Sequence, residues 1–596
     1  MRSALAGCLA IASVIVVGSR ALEAQRAAPL SLVSQPARAR ADSARVLRGA
    51  RQAQAAFERL RFRHLPWSDS GGGSGGRCDE HIGRFCIWHE DEETPPWKAP
   101  PEAEPVRTGR DRMLAGLAEA AEASPGDAWV AGQRVRYLVE AGRAAEAVAA
   151  ARACRSDAWW CRALEGYAHH AAGAHTDAEA AFAAAVAAMP EDERREWTDL
   201  TPLLEDGDAR ALRRLPQPAR DSLAARLWWL ADPFWSLPGN DRKTEHFARL
   251  VADRFQDRAR VTEGLAWASD LREILLRYGN PTGWERIRTP YVTQSPASVV
   301  THYAPEAYEF LPRLGDAREP TLLGPGEWKL EKLRARTSYA PAAAASVDEL
   351  PHQLAVFRRG DRAEVVAAFA LEHDSLPAAP EIDAALVLAR DERSAPVTAA
   401  ARIPGRRAVL RAAAAPETAM VSLEVRERAT RRAARARFGA DLRLRPGERI
   451  TLSDVLLLSD AAARPATLDE AAPLARTDTR LAPGERVSLF WEVYGLEPGM
   501  DSVTVSVAVA RRAVGGLRRA AERLGLARTA TPVRMRWNEE IRAGDVLARS
   551  LAIAIPNLPS GDYVLEVAVR ARGGASASTL RDITVERESE RARRKR

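Results

Sequence analysis

Trp228-Trp229-Leu230-Ala231-Asp232-Pro233, Asn240-Asp241-Arg242-Lys243-Thr244-Glu245-His246, Ala266-Trp267-Ala268-Ser269-Asp270 and Leu276-Arg277-Tyr278-Gly279-Asn280-Pro281 follow one another in the middle of a chain of 596 residues. Upstream of this run the apolar residues recur at helical spacing; downstream, from about residue 354, they alternate with polar ones. Asn240 or Asp241 suits the N-cap of a helix whose apolar stripe is Phe247, Leu250, Val251 and Phe255. Over residues 272–278 the alternation of Ile274, Leu276 and Tyr278 predicts a strand, and Gly279-Asn280-Pro281-Thr282-Gly283 then supplies turn chemistry. Trp267, a large aromatic beside that strand, is expected to fill core volume, and Asp270 to accept hydrogen bonds at the strand entry.

Working upstream, residues 128–142 and 144–153 read as one helical pair and residues 159–173 and 178–190 as a second. Gly142 and Gly173 are separated by 31 residues, as are Ala147 and Ala178. Gly166, Gly173, Ala178, Phe182, Ala185 and Pro190 stand at the spacings of the tetratricopeptide pattern, which this stretch resembles. Small residues belong where two helices pack closely. Two repeats fall short of the usual minimum of about three, so a flanking helix at 110–122 or 221–230 is needed to cap the stack.

The central run resembles the GWxTD domain, a bacterial family named for Gly-Trp-x-Thr-Asp ahead of a strand that ends in Tyr-Gly-x-Pro. Here the matching residues are Trp267, Ser269, Asp270, Tyr278, Gly279 and Pro281, with Ala266 in place of the Gly and Ser269 in place of the Thr. The resemblance implies a small α+β module without naming a reaction.

Downstream, strands are expected at 354–358 and 362–371 around an Arg359-Gly360-Asp361 hairpin tip, then at 384–389, 407–410, 420–425 and 451–458. From about Leu481 the alternation is clearer: Val487, Leu489, Trp491 and Val493; Val503, Val505, Val507 and Val509; Tyr563, Leu565, Val567 and Val569. Short alternating strands with turns such as Pro483-Gly484 and Pro498-Gly499 indicate an immunoglobulin-like antiparallel sandwich. The expected fold class is therefore multidomain α+β. Residues 109–225 form a tetratricopeptide-like helical region, 226–345 a GWxTD-like module, 346–465 a β-sandwich and 466–588 an immunoglobulin-like β-sandwich, with a basic tail at 589–596.

At the N-terminus, Arg2 followed by an apolar run over 4–17 reads as a signal peptide, cleaved after Ala24, where Leu22 at −3 is larger than usual, or in second place after Ala21, with Ser19 at −3. Residues 25–108 are a Pro-, Gly- and Ala-rich linker in which only 43–62 looks helical. Leu5-Ala6-Gly7-Cys8 spells a lipoprotein-type box that precedes the apolar run instead of ending it. Removal of the leader leaves Cys78 and Cys86, and Cys154 and Cys161, as two local disulfide pairs of an exported protein. Cys78, His81, Cys86 and His89 also have zinc-ligand chemistry, but an oxidising compartment consumes thiols, so a disulfide loop is the expected state and no metal or other cofactor is assigned.

Net charge is +7 and pI about 9.3, yet 87 basic residues are interleaved with 80 acidic ones and only five of the 87 are Lys. A salt-bridged surface is expected instead of a nucleic-acid partner. No further stretch is apolar enough to span a membrane in the mature chain. No zincin His-Glu-x-x-His, nucleophile elbow, Walker loop or dinucleotide motif occurs. The expectation is an exported, non-catalytic protein, periplasmic or extracellular, that presents surfaces to envelope proteins or glycans. The alternative is a periplasmic hydrolase pairing Asp270 with Glu245 or Glu273 as acid and base. Thiol titration of the mature, denatured, non-reduced protein is expected to find essentially no free cysteine; two free thiols, or stoichiometric zinc, would contradict it.

Overall fold

The computed structural model describes residues 35–68, 79–87, 97–287, 298–332, 335–373, 375–443, 450–497, 502–512, 533–541, 544–572 and 574–587. The expected leader with Cys8, the glycine run at 71–76, Cys78, His89, the Pro498-Gly499 turn and the basic tail lie outside the described residues. The chain is mixed α+β: mainly helical as far as Tyr278, mainly antiparallel sheet beyond it.

The first half begins with α1 (Gln35–Arg63), a short hairpin of β1 (Glu80–Ile82) and β2 (Phe85–Ile87), and α2 (Glu104–Ala123). Then come α3 (Ala128–Glu140), α4 (Ala144–Arg152), α5 (Ala158–Ala171), α6 (His175–Ala188), α7 (Glu191–Thr198), α8 (Asp206–Arg213), α9 (Gln217–Ala231), α10 (Asp241–Phe255) and α11 (Ser269–Tyr278). Helices α1 and α2, α3 and α4, and α5 and α6 pack as pairs. The small residue expected where α5 meets α6 is Gly166: a Cβ there would lie 2.7 Å from the Phe182 ring. Helix α10 begins at the expected N-cap, with Asn240 Oδ1 accepting from the Lys243 amide at 2.8 Å. It buries its expected stripe against α3, α5 and α6.

Two expectations are corrected here. The helix in the presumed linker is longer than 43–62, and it belongs to the core. Its buried Gln54 bonds Arg260 O at 2.8 Å and Tyr137 Oη at 2.9 Å, and its buried Glu58 accepts from Tyr137 Oη at 2.6 Å and Thr262 Oγ1 at 2.9 Å. Residues 272–278 are not a strand. They form α11, because Leu271, Ile274 and Leu275 make a buried helical face that outweighs the alternation of Ile274, Leu276 and Tyr278.

After the hairpin of β3 (Gly283–Ile287) and β4 (Ser298–His302) come β5 (Ser346–Glu349), β6 (His352–Arg359), β7 (Arg362–Ala370), β8 (Glu381–Ala389), β9 (Val397–Pro404), β10 (Arg407–Ala414), β11 (Thr418–Glu427) and β12 (Arg432–Asp441). They form a three-stranded sheet, β10-β7-β6, and a five-stranded sheet, β5-β12-β11-β8-β9, facing each other across Val365, Phe369, Leu386, Leu423 and their neighbours. The Arg359-Gly360-Asp361 tip joins β6 to β7 as expected. The region expected as one strand at 451–458 is split into β13 (Thr451–Leu452) and β14 (Leu456–Leu458). Both pair forward with β16 (Arg486–Leu496), which in turn pairs with β19 (Gly544–Ala554). The facing sheet holds β15 (Arg480–Leu481), β17 (Ser502–Arg511), β18 (Val533–Glu540), β20 (Gly561–Ala571) and β21 (Ser576–Val585) in the order β15-β21-β20-β17-β18. Trp491 lies in the core between them.

The outer face of the five-stranded sheet docks on the helical half through the loop after α9. Arg437 stacks 4.0 Å from the Trp235 ring centroid and donates to Leu230 O at 2.8 Å and Asp232 O at 2.7 Å. Glu424 accepts the amides of Trp235 at 2.9 Å and Ser236 at 3.0 Å, and stands 3.4 Å from Arg437. Both side chains are almost wholly buried. Removing one partner of a buried ion pair strands the other. Glu424→Ala is therefore expected to cost about 3–5 kcal/mol in denaturant unfolding, and Arg437→Met less, since Glu424 keeps its two backbone donors. Equal small losses would argue against this junction as a stabilising contact.

Candidate functional site

The residues singled out by the motif bracket α11. Ala268 is its N-cap, Ser269 and Asp270 open its first turn, and Tyr278 closes it before Gly279. Gly279 has φ +86°, a left-handed conformation that side chains strain, and a Cβ there would lie 2.8 Å from an Arg249 nitrogen. Pro281 follows in the turn that leads to β3. Trp267 is half-buried at the edge of the helical core, and its Nε1–H donates to Asp253 Oδ1 at 2.8 Å. The expectation that it fills core volume beside a strand is corrected: it precedes a helix, and its indole N–H reaches a carboxylate.

The hairpin β1–β2 grips both ends of α11. Arg84 of its turn donates to Asp270 Oδ2 at 2.6 Å and Oδ1 at 2.8 Å, while Asp270 Oδ1 also accepts from the Leu271 amide at 2.8 Å. Glu80 accepts from both terminal nitrogens of Arg277 at 2.7 Å and from Tyr278 Oη at 3.1 Å. The hydrogen bonds from Arg84 hold the Asp270 carboxyl well below the usual carboxylate range, and those from Arg277 lower Glu80. Because Arg84 is about half exposed, its pair with Asp270 is screened by water. Arg277 is fully buried, which makes the second grip the drier one.

Glu245 stands in a separate buried centre on α10. Its oxygens meet His170 Nε2 at 2.8 Å and Arg249 Nε at 2.7 Å. Burial works against its charge, but Arg249 and His170 outweigh it and hold the carboxyl far below its usual value. Arg249 also donates to the carbonyls of Leu276 and Arg277 at 3.0 Å and of Ser338 at 2.7 Å, so α10 holds the open end of α11. Glu273 faces Arg277 at 3.3 Å and Arg336 at 3.8 Å. The three candidate carboxylates are thus each engaged by arginine and are not brought together as an acid and base pair.

Around Glu245 the polar centre continues. His170 Nδ1 lies 2.9 Å from Thr244 Oγ1, and burial together with His170 pushes His175 down to about 4. Asp241 accepts from Tyr339 Oη at 3.0 Å, and burial raises its carboxyl to about 6. Arg242 is completely buried between Trp228 and Tyr339, with ring centroids 5.7 and 5.9 Å from its guanidinium, and none of its nitrogens has a hydrogen-bond partner among the described residues. Burial lowers it to about 9. The sequence reading missed Glu80, Arg84, Arg242, Arg249 and Arg277. The spacing Glu245 to Arg249 was visible as an ion pair one helical turn apart; Glu273 to Arg277 was hidden by the strand reading.

Cys154 and Cys161 are joined by a disulfide from the end of α4 to the start of α5. Among the described residues no helix is long and apolar enough to cross a membrane, and no group of His, Cys, Asp and Glu forms a metal site. No protein-family model matches the sequence, and no curated protein matches it. Among solved structures, the sporulation control protein Spo0M from Bacillus subtilis is similar at 15% identity and TM-score 0.15, over 24% of this chain and 50% of that one. Red sea bream transglutaminase is similar at 10% identity and TM-score 0.14, over 40% of this chain and 31% of that one. The chain thus spans half or less of either protein, and likenesses of this size carry nothing about fold or function.

A carboxyl raised by folding stabilises the fold below its unfolded value and loses that contribution as pH rises through its folded value. For Asp241 that window runs from 3.8 to about 6. Asp241→Asn keeps an acceptor for Tyr339 and removes the charge. It is expected to raise stability by roughly 2–3 kcal/mol at pH 8 and to be neutral at pH 4, read by denaturant unfolding at both. A gain that is equal at the two pH values would reject the assignment.

Proposed function

We propose that the chain is an exported, non-catalytic scaffold of the cell envelope of the GWxTD-containing type. In this reading α1 to α6 are tetratricopeptide-like pairs, the segment around α10 and α11 is the GWxTD-like module, and the two double-layered β units are sandwiches, the second immunoglobulin-like. The observation that carries it is the engagement of Asp270, Glu245 and Glu273 by separate arginines, which leaves none of these three carboxylates free to act as an acid and base pair. The Cys154–Cys161 disulfide suits an oxidising compartment.

Helix α10 packs along α3, α5 and α6, where a repeat array of this kind would offer its groove to a partner. The array is thereby occupied from within. Binding to envelope proteins or glycans then falls to the outer helical faces and to the sheets. The motif helix, in this reading, is a seat for the β1–β2 hairpin, and its sequence signature records the geometry of that seat.

Asp270→Asn, Arg84→Ala and the double variant are expected to lower the melting temperature by similar amounts, because all three break the same contact. The reading fails if Asp270→Asn melts like the wild type while abolishing hydrolysis of an ester, peptide or glycoside that the wild type cleaves.

A further inference from the structure

A cavity of about 420 Å³ opens between the loop after α9 and the outer face of the five-stranded sheet. The size is within the range of small-molecule sites. One wall is apolar, formed by Phe234 and Leu237; the opposite wall, on β8 and β9, carries Ala385 and Ala400, whose methyl groups leave the trough open. Phe234 is held in place from behind, since its amide bonds Asp232 Oδ1 at 3.0 Å and the next two amides are bound by Glu424. The wall is therefore fixed by the same junction that joins the two halves of the molecule.

The rim has the opposite character. Asp383 of β8 is flanked by Arg402 of β9, with Nε 3.5 Å from Oδ1, and by Arg426 of β11, with a terminal nitrogen 3.3 Å from Oδ2. Two guanidinium groups share one carboxylate, and the other N–H groups of both have no protein acceptor among the described residues. Glu424, the other acid of the lining, is engaged by two backbone amides and by Arg437. The rim thus carries one positive charge in excess beside an apolar trough.

We infer that this cavity is a binding site for a small monocarboxylate with a compact apolar body, its carboxylate taken by the N–H groups of Arg402 and Arg426 that Asp383 leaves unused and its body lying between Phe234, Leu237 and the alanine wall. Guanidinium groups match a carboxylate in charge and in planar donor geometry. An uncharged apolar ligand would leave the excess charge unanswered, and a dianion would overmatch it.

The test is titration calorimetry of the full mature chain with 4-phenylbutyrate and with its neutral counterpart 4-phenylbutyramide. One-to-one binding of the acid is expected, with the amide weaker by about tenfold or more. Arg402→Ala and Arg426→Ala are each expected to weaken the acid by about tenfold without changing the amide. Ala400→Trp, which fills the trough and leaves the charges intact, should abolish both. Circular dichroism melts identify any variant that fails to fold, and the comparison of acid with amide on the wild type stands without them. No heat with the acid at millimolar concentration, equal affinity for acid and amide, or binding that survives Ala400→Trp would overturn the proposal.

Discussion

Arg437 and Glu424 lie side by side on the outer face of a sheet, in a position where most sheets of this kind meet water. Here they meet Trp235 and the carbonyls of residues 230–233. A guanidinium can satisfy several carbonyls at once and still stack on an indole, which makes it suited to hold an irregular loop against a regular sheet. Arg435 does the same one pleat away, donating to Pro233 O at 3.0 Å. Everything that depends on the relative placement of helices and sheets, including the apolar wall of Phe234 and Leu237, depends on these contacts. Burial lowers both arginines, so the charge is tolerated only because its donors are answered by so many oxygens.

The helical half is organised around another buried cation. Arg249 joins α10 to the end of α11 and to Ser338, and it approaches Gly279 so closely that no side chain fits there. The glycine at that place is thus a packing requirement. Arg242, two turns earlier on the same helix, has aromatic faces but no oxygen partners among the described residues. A guanidinium in that state costs more than one hydrogen-bonded to carbonyls, and burial together with the nearby Arg249 charge lowers it to about 9.

Much of this was legible in the sequence, because periodicity reports burial. The paired helices from Ala128 to Ala188, the apolar stripe of α10 and the alternating strands around Trp491 all follow from spacing alone, and residue type narrowed the cap of α10 to Asn240 or Asp241. The misreading of α11 has a physical source: in Leu271-Arg-Glu-Ile274-Leu275-Leu276-Arg277-Tyr278, apolar residues satisfy a period of two and a period of 3.6 together, and only the docking of Leu271 and Leu275 decides. Strand β12 was illegible for a related reason. Its outward positions are arginines that would ordinarily mark solvent, and here they are buried by a loop two hundred residues earlier in sequence. The grip of Glu80 and Arg84 on α11 was invisible because ion pairs across such separations leave no local pattern.

That separation bears on how the molecule is made. Gln54 of α1 finds its backbone partner at Arg260, and Arg84 finds its carboxylate at Asp270, so the first hundred residues emerge from synthesis or translocation long before the groups that satisfy them. Contacts this distant in sequence close late and slowly. The contacts of Gln54 with residue 260 and of Arg84 with residue 270 are consequently expected to be among the last of the helical half to form. Until residue 270 has emerged, the pair of α1 and α2 can cover its apolar face but Arg260 O and the Asp270 carboxylate are not yet there for Gln54 and Arg84, which makes that interval the natural point of engagement for a holdase.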